Sequence, residues 1–111
     1  MPLTMNFNQQ ANNVPPEPSV PPEPSRASKG FMEFMQGCYK AGALSVKQKE
    51  LSAVSVSIAI KCAPCVEMHA KNALSAAASQ NEVLEAAAVG TAFGGAPSVV
   101  FLLDNIIKAL A

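Results

Sequence analysis

Hydrophobic residues recur every three to four positions through most of the chain after residue 28. The first such run places Phe31, Phe34, Met35 and Cys38 at helical spacing, and Gly42 follows as a stop signal. No stretch alternates hydrophobic and polar residues with a period of two, as a half-buried strand would. The pattern predicts an all-α fold of about five short helices.

Start and stop signals place the other four helices. Ser45 and Ser79 each begin a capping box with the Gln or Glu three residues later, a pattern that satisfies backbone amides at a helix start. Pro64 and Pro97 suit the first turn of a helix, where a proline costs no hydrogen bond. We therefore predict helices over about residues 46–61, 62–78, 80–94 and 97–110.

Residues 1–27 differ from the rest in being rich in proline. The hexapeptide Val-Pro-Pro-Glu-Pro-Ser occurs at residues 14–19 and again at 20–25, and the two copies hold six of the nine prolines. Such a composition is common in linkers, and it also favours extended polyproline II. We expect an extended arm over residues 1–27, held on a neighbouring subunit, and a helical domain over residues 28–111.

Composition adds an expectation about assembly and partners. Hydrophobic residues make up 50% of the chain and charged residues 14%, against about 25% charged in a typical soluble domain. One domain of 111 residues cannot bury that much apolar surface, so we expect a homo-oligomer. The formal net charge is zero and no basic cluster exists, so a nucleic-acid partner is not expected.

Three features bear on cellular location. The longest apolar stretch, residues 86–103, is interrupted by two glycines and a proline, so we expect no membrane span. The N-terminus has neither the basic region nor the hydrophobic run of a signal peptide. Three cysteines, an odd number, do not suit a secreted disulfide scaffold. These features predict a cytoplasmic protein whose thiols are reactive rather than structural.

Cys62, Cys65 and His69 form the motif C-x-x-C-x-x-x-H at the predicted start of the third helix. Residues three and four apart share a helical face, so the two thiols and the imidazole lie on one side. The helix N-terminus can lower the pKa of a thiol, and His69 can accept the proton of Cys65 one turn away. The second thiol can trap an oxidised sulfur as a disulfide, so the motif indicates redox chemistry.

Two carboxylates could orient His69. Glu67 lies about 200° around the helix from Cys65, and we expect it to pair with Lys71 instead. Glu50 lies on the apolar half of the second predicted helix, where a carboxylate needs a partner. From spacing alone, Glu50 could meet His69, or it could meet solvent or a lysine at the edge of the stripe.

Other uses of the cysteines compete with redox chemistry. A zinc site needs four ligands, so Cys38 or Glu50 would have to join Cys62, Cys65 and His69. The two thiols could also be buried for structural reasons alone. A c-type haem would need the histidine directly after the second cysteine. We expect no metal and no cofactor, and we expect Cys38 to be a buried core thiol.

A family resemblance is found in three segments, residues 43–51, 62–69 and 94–97. Its most specific feature is a glutamate twelve residues before C-x-x-C-x-x-x-H. Residues 30–111 resemble the carboxymuconolactone decarboxylase family, in its alkylhydroperoxidase D-like branch. The resemblance implies an all-helical fold and trimers or hexamers. It also implies that Cys65 attacks a peroxide, that Cys62 resolves it as a disulfide, and that His69 and Glu50 relay protons. Some relatives carry a histidine between the cysteines, where this chain has Pro64.

The sequence thus predicts a thiol-dependent peroxidase in antioxidant defence. It would reduce hydroperoxides with electrons from a lipoyl- or thioredoxin-like dithiol. Decarboxylases of the same family lack the cysteine pair, which favours the redox branch. One alternative is a disulfide-reductase adaptor that passes electrons to a peroxiredoxin. Another is a non-catalytic binding or zinc-holding module.

Overall fold

The chain is helical from Arg26 to Leu110, with short connections between the helices. A computed structural model describes residues 26–111; the proline-rich repeats, and the prediction made for them, lie outside the described residues. The helices are α1 Arg26–Tyr39, α2 Val46–Ile60, α3 Ala63–Ser75, α4 Gln80–Gly94 and α5 Ala96–Leu110. The predicted all-α fold is confirmed. Within the described part of the chain, no helix is both long and apolar enough to cross a membrane.

Both predicted capping boxes are present. The amide of Gln48 donates to Ser45 Oγ at 3.1 Å, and the amide of Glu82 donates to Ser79 Oγ at 3.0 Å. A hydrogen bond from Lys47, and then the cap itself, hold the pKa of the Glu82 carboxyl below its ordinary value. These caps fix the starts of α2 and α4 within one residue of the predicted positions.

The core is built largely from small side chains on helices α2 to α5. Helix α2 packs against α3 and α4, and α5 packs against the same two helices. The buried hydrophobic residues are Val54, Ile58, Val66, Ala70, Ala73, Ala78, Val83, Ala87, Ile106 and Ala109. Because half of them are alanines, the helix backbones can approach closely. The position of each helix is therefore set by direct contact with its neighbour.

Helix α1 has no buried residue. Phe31 and Phe34 are 61% and 66% exposed, and Cys38 is exposed as well. The expectation that Cys38 is a buried core thiol is therefore wrong. Ser28, Met35 and Tyr39 are the half-buried positions of this helix. Since neighbouring residues point about 100° apart around a helix, covering Tyr39 leaves Cys38 facing solvent.

Gly90 lets α4 lie directly on α2. A Cβ atom at this position would collide with the backbone carbonyl of Ser55, and the Ser55 hydroxyl donates to the carbonyl of Ala86 at 2.6 Å. Gly94 likewise leaves room for Ser98, whose buried hydroxyl donates to a carbonyl of α2 at 3.1 Å. Both glycines are needed for close packing.

We predict that Gly90→Ala lowers the free energy of unfolding by about 1–3 kcal/mol, the usual cost of overfilling a packed site. The backbone of α2 must move to admit the methyl group, and this outweighs the gain in helix propensity. Gly37→Ala is the matched control, because a Cβ there meets nothing. Denaturant unfolding of both variants checks the prediction, and equal stability of the two would contradict it.

Candidate active site

The cysteine motif lies where α2 ends and α3 begins. Lys61 ends α2 in the left-handed region, with φ of 58°, and its amide donates to the carbonyl of Ile58 at 3.3 Å. The amide of Cys62 donates to the carbonyl of Ser57 at 3.0 Å. This two-residue turn places Cys62 at the N-cap of α3 and Pro64 in its first turn, as predicted.

Cys62 and Cys65 are joined by a disulfide, with their Cα atoms 5.2 Å apart. Both residues are half-buried, so the sulfurs lie at the surface of the helical domain. Among the described residues, no side chain caps the start of α3, so its first amides keep their partial positive charge. A thiolate at either position would be stabilised by this helix N-terminus.

Glu50 and His69 form a buried hydrogen-bonded pair between α2 and α3. The distance from Glu50 Oε2 to His69 Nδ1 is 2.7 Å, and the two residues are only 5% and 7% exposed. Of the two environments that spacing allowed for Glu50, the structure has the one in contact with His69. A carboxylate buried without such a partner would be strongly disfavoured.

This pairing determines which imidazole nitrogen can accept a proton. An ionised carboxylate only accepts hydrogen bonds, so the Nδ1 atom of His69 must carry the hydrogen. The neutral ring then leaves Nε2 as its proton acceptor. Cys65 precedes His69 by four residues on α3, which is one helical turn. The arrangement can therefore take up a thiol proton at Nε2 while Glu50 stabilises the resulting imidazolium.

Two further residues complete the surroundings of this pair. The ring of Tyr39 stacks on the His69 ring, with centroids 5.3 Å apart and planes inclined by 25°. Asn72 Nδ2 lies 3.5 Å from Glu50 Oε1. Burial, the Glu50 carboxylate and Cys38, in that order, raise the pKa of Tyr39 above its ordinary value.

An open depression of about 590 Å³ reaches Glu50 from the side of the α2 N-terminus. Asn72 and Ser75 line its α3 side, and Ser45 and Lys47 line its α2 side. The carboxylate therefore lies between the imidazole on one side and this open depression on the other.

The predicted pairing of Glu67 with Lys71 is confirmed. The Lys71 ammonium lies 3.0 Å from Glu67 Oε1, on the exposed face of α3, and this contact holds the pKa of Glu67 below its ordinary value. Glu67 is therefore not the partner of His69. Across residues 26–111, no group of three or more His, Cys, Asp or Glu side chains is arranged to hold a metal ion.

The sequence patterns singled out neither Tyr39 nor Asn72 as a site residue. Asn72 lies three residues after His69, so its helical spacing was an available signal. Tyr39 lies 30 residues before His69 and on a different helix, so no local sequence pattern connects the two.

The fold and the site define an all-α protein that carries a C-x-x-C disulfide next to a buried glutamate–histidine pair. Residues 26–104 match the sequence pattern of the carboxymuconolactone decarboxylase family, and the chain belongs to that family.

Solved structures of other family members are similar. A carboxymuconolactone decarboxylase family protein from Legionella pneumophila, lpg0406, is 28% identical with a TM-score of 0.70, over 76% of this chain and 75% of that one. TM1620 from Thermotoga maritima, described as having a possible involvement in the antioxidative response, is 26% identical with a TM-score of 0.72. That match covers 78% of this chain and 89% of TM1620.

An uncharacterised protein from Cupriavidus necator, H16_B0147, is 29% identical over 75 residues. The match covers 68% of this chain and 66% of that relative, just under two thirds of its length.

We predict that Tyr39 titrates above its ordinary pKa of 10.0. It is the only tyrosine and the chain has no tryptophan, so the ultraviolet absorbance of tyrosinate reports on it alone. Because the folded state favours the neutral phenol, its contribution to stability is complete below the ordinary pKa and is lost as the pH rises through the raised value.

Glu50→Gln should lower the pH midpoint of the Tyr39 titration only in part. Burial is the larger cause of the raised pKa, and it remains in this variant. Glu67→Gln, on the exposed face, is the control and should change nothing. A Tyr39 midpoint at or below the ordinary value would contradict the described surroundings.

Proposed function

We propose that this protein is a thiol-dependent peroxidase of the alkylhydroperoxidase D-like type. One observation carries the proposal: a C-x-x-C pair at a helix N-terminus precedes, by one turn, a histidine whose Nδ1 is held by a buried glutamate. Nucleophile, base and orienting carboxylate thus occur together, as covalent catalysis by cysteine requires. Cys65 is the attacking thiol, Cys62 the resolving thiol, and His69 with Glu50 the proton relay.

In the first step, His69 Nε2 takes the proton of the Cys65 thiol. The thiolate attacks the terminal oxygen of the hydroperoxide, an S–O bond forms and the O–O bond breaks. The alcohol leaves with the proton returned by His69, and Cys65 becomes a sulfenic acid. The peroxide is reduced by two electrons and the cysteine sulfur is oxidised by two.

In the second step, the Cys62 thiol attacks the sulfenic sulfur of Cys65. The S–S bond forms and the hydroxyl leaves as water, taking the proton of the Cys62 thiol. The product is the Cys62–Cys65 disulfide that the structure contains. A dithiol donor, lipoyl- or thioredoxin-like, restores both thiols by two exchanges and leaves as its own disulfide.

The family relationship supports this assignment at a coarser level. The antioxidative involvement suggested for TM1620 concerns that protein, and it agrees with a redox role here. Pro64 occupies the place where some relatives have a histidine between the cysteines, so acid–base catalysis here depends on His69, the only histidine of the chain.

The proposal includes a homo-oligomer, a trimer or hexamer as in the family. Large apolar side chains remain exposed on the helical domain, and this surface supports association. On α4 and α5 they are Leu84, Val89, Phe93, Val99, Val100, Leu103 and Ile107.

We predict that Glu50→Gln and His69→Ala each lower peroxide turnover by about 10²–10⁴-fold, the usual contribution of a general acid–base group. The two effects should not add in the double variant, because the residues act as one unit. Glu67→Gln is the matched control and should keep full turnover, with circular dichroism showing that all variants remain helical. Full activity in Glu50→Gln would leave that residue only a structural role.

The peroxidase and adaptor functions are separated by an assay with a small dithiol and no partner protein. We expect turnover of an organic hydroperoxide under these conditions, lost completely in Cys65→Ser. Turnover that appears only after a peroxiredoxin is added would instead support the adaptor. Cys38→Ser should remain active, since Cys38 lies outside the disulfide.

A further inference from the structure

We propose that Tyr39 is a positioning residue for His69, holding the imidazole plane so that Nδ1 stays on Glu50. This inference rests on the proposed function for its catalytic meaning. Its structural content is independent of that function and can be tested separately.

The geometry places Tyr39 against the imidazole rather than the core. The ring centroids are 5.3 Å apart at an interplanar angle of 25°, which is an offset stack. Helix α1, which carries Tyr39, contributes no buried residue. The ring therefore lies outside the buried core, and it stacks on the face of His69.

The C-terminal end of α1, which carries Tyr39, is held next to the segment of α2 that carries Glu50. The ammonium of Lys49 donates to the backbone carbonyl of Lys40, the residue directly after α1. Such a contact satisfies a carbonyl left free at a helix C-terminus. Since Lys49 precedes Glu50 on α2, one short segment holds both the end of α1 and the carboxylate that pairs with His69.

Two consequences follow for His69. The Tyr39 ring covers one face of the imidazole, which excludes water from the Glu50–His69 hydrogen bond and prevents the ring from turning away. Glu50 and Tyr39 are the titratable groups that face His69 from α2 and α1.

The phenol oxygen has no part in this role, so the ring alone should suffice. Tyr39→Phe keeps the stacking surface, whereas Tyr39→Leu keeps an apolar side chain and removes the ring. Phe34→Leu, which removes an aromatic ring that is 66% exposed on the same helix as Tyr39, is the matched control.

The test is nuclear magnetic resonance of the histidine side chain in the full-length protein. His69 is the only histidine, so its imidazole signals need no assignment. We expect the Nδ1 hydrogen to be shielded from exchange with water in the native protein and in Tyr39→Phe. In Tyr39→Leu its exchange should accelerate at least tenfold, while in Phe34→Leu it should stay as in the native protein.

Activity supplies the second readout. Tyr39→Leu should lower turnover by about 10–10²-fold, the scale of a misplaced catalytic group, and Tyr39→Phe should restore it. Unchanged exchange of the Nδ1 hydrogen in a folded Tyr39→Leu would overturn the inference. Equal loss in Tyr39→Phe and Tyr39→Leu would also overturn it, because the hydroxyl and not the ring would then matter. If the native protein has no peroxidase activity, the proposed function fails while the exchange result still decides the role of Tyr39.

Discussion

The buried hydrogen bond between Glu50 and His69 is the constraint on which the site depends. Each group would be costly to bury alone, and each satisfies the other at 2.7 Å across the contact between α2 and α3. The bond occupies Nδ1, so in the proposed mechanism Nε2 is the ring nitrogen that exchanges the proton. His69 lies one helical turn after Cys65, so the buried pair and the disulfide at the surface are carried by the same helix.

Small side chains make that constraint possible. Alanines make up half of the buried hydrophobic residues, Gly90 leaves room for the Ser55 carbonyl, and the buried Ser98 hydroxyl donates to a carbonyl of α2. Helix positions are therefore set by direct contact, with little tolerance for displacement. Lys61 and Cys62 form the two-residue turn between α2 and α3, so the packing of these helices also positions the disulfide. The precision of the site thus comes from close packing and not from a large core.

The sequence predicted the helices well because their ends carry local chemistry. Ser45, Ser79, Pro64 and Pro97 act within a few residues, so their effects can be inferred without knowing the fold. The partner of Glu50 could not be settled by spacing, since it depends on how two helices pack. The positions of Cys38 and Tyr39 depend on the rotation of α1, which the helical period leaves undefined.

A single turnover of the reduced protein tests the central claim most directly. One equivalent of an organic hydroperoxide is added with no donor and no partner protein, and the remaining thiols are alkylated and located by mass spectrometry. Peroxide loss should match the loss of two thiols, both in the peptide that contains Cys62 and Cys65, with Cys38 still alkylated. Peroxide that persists beside three alkylated cysteines, or a dominant crosslink through Cys38, would contradict the account.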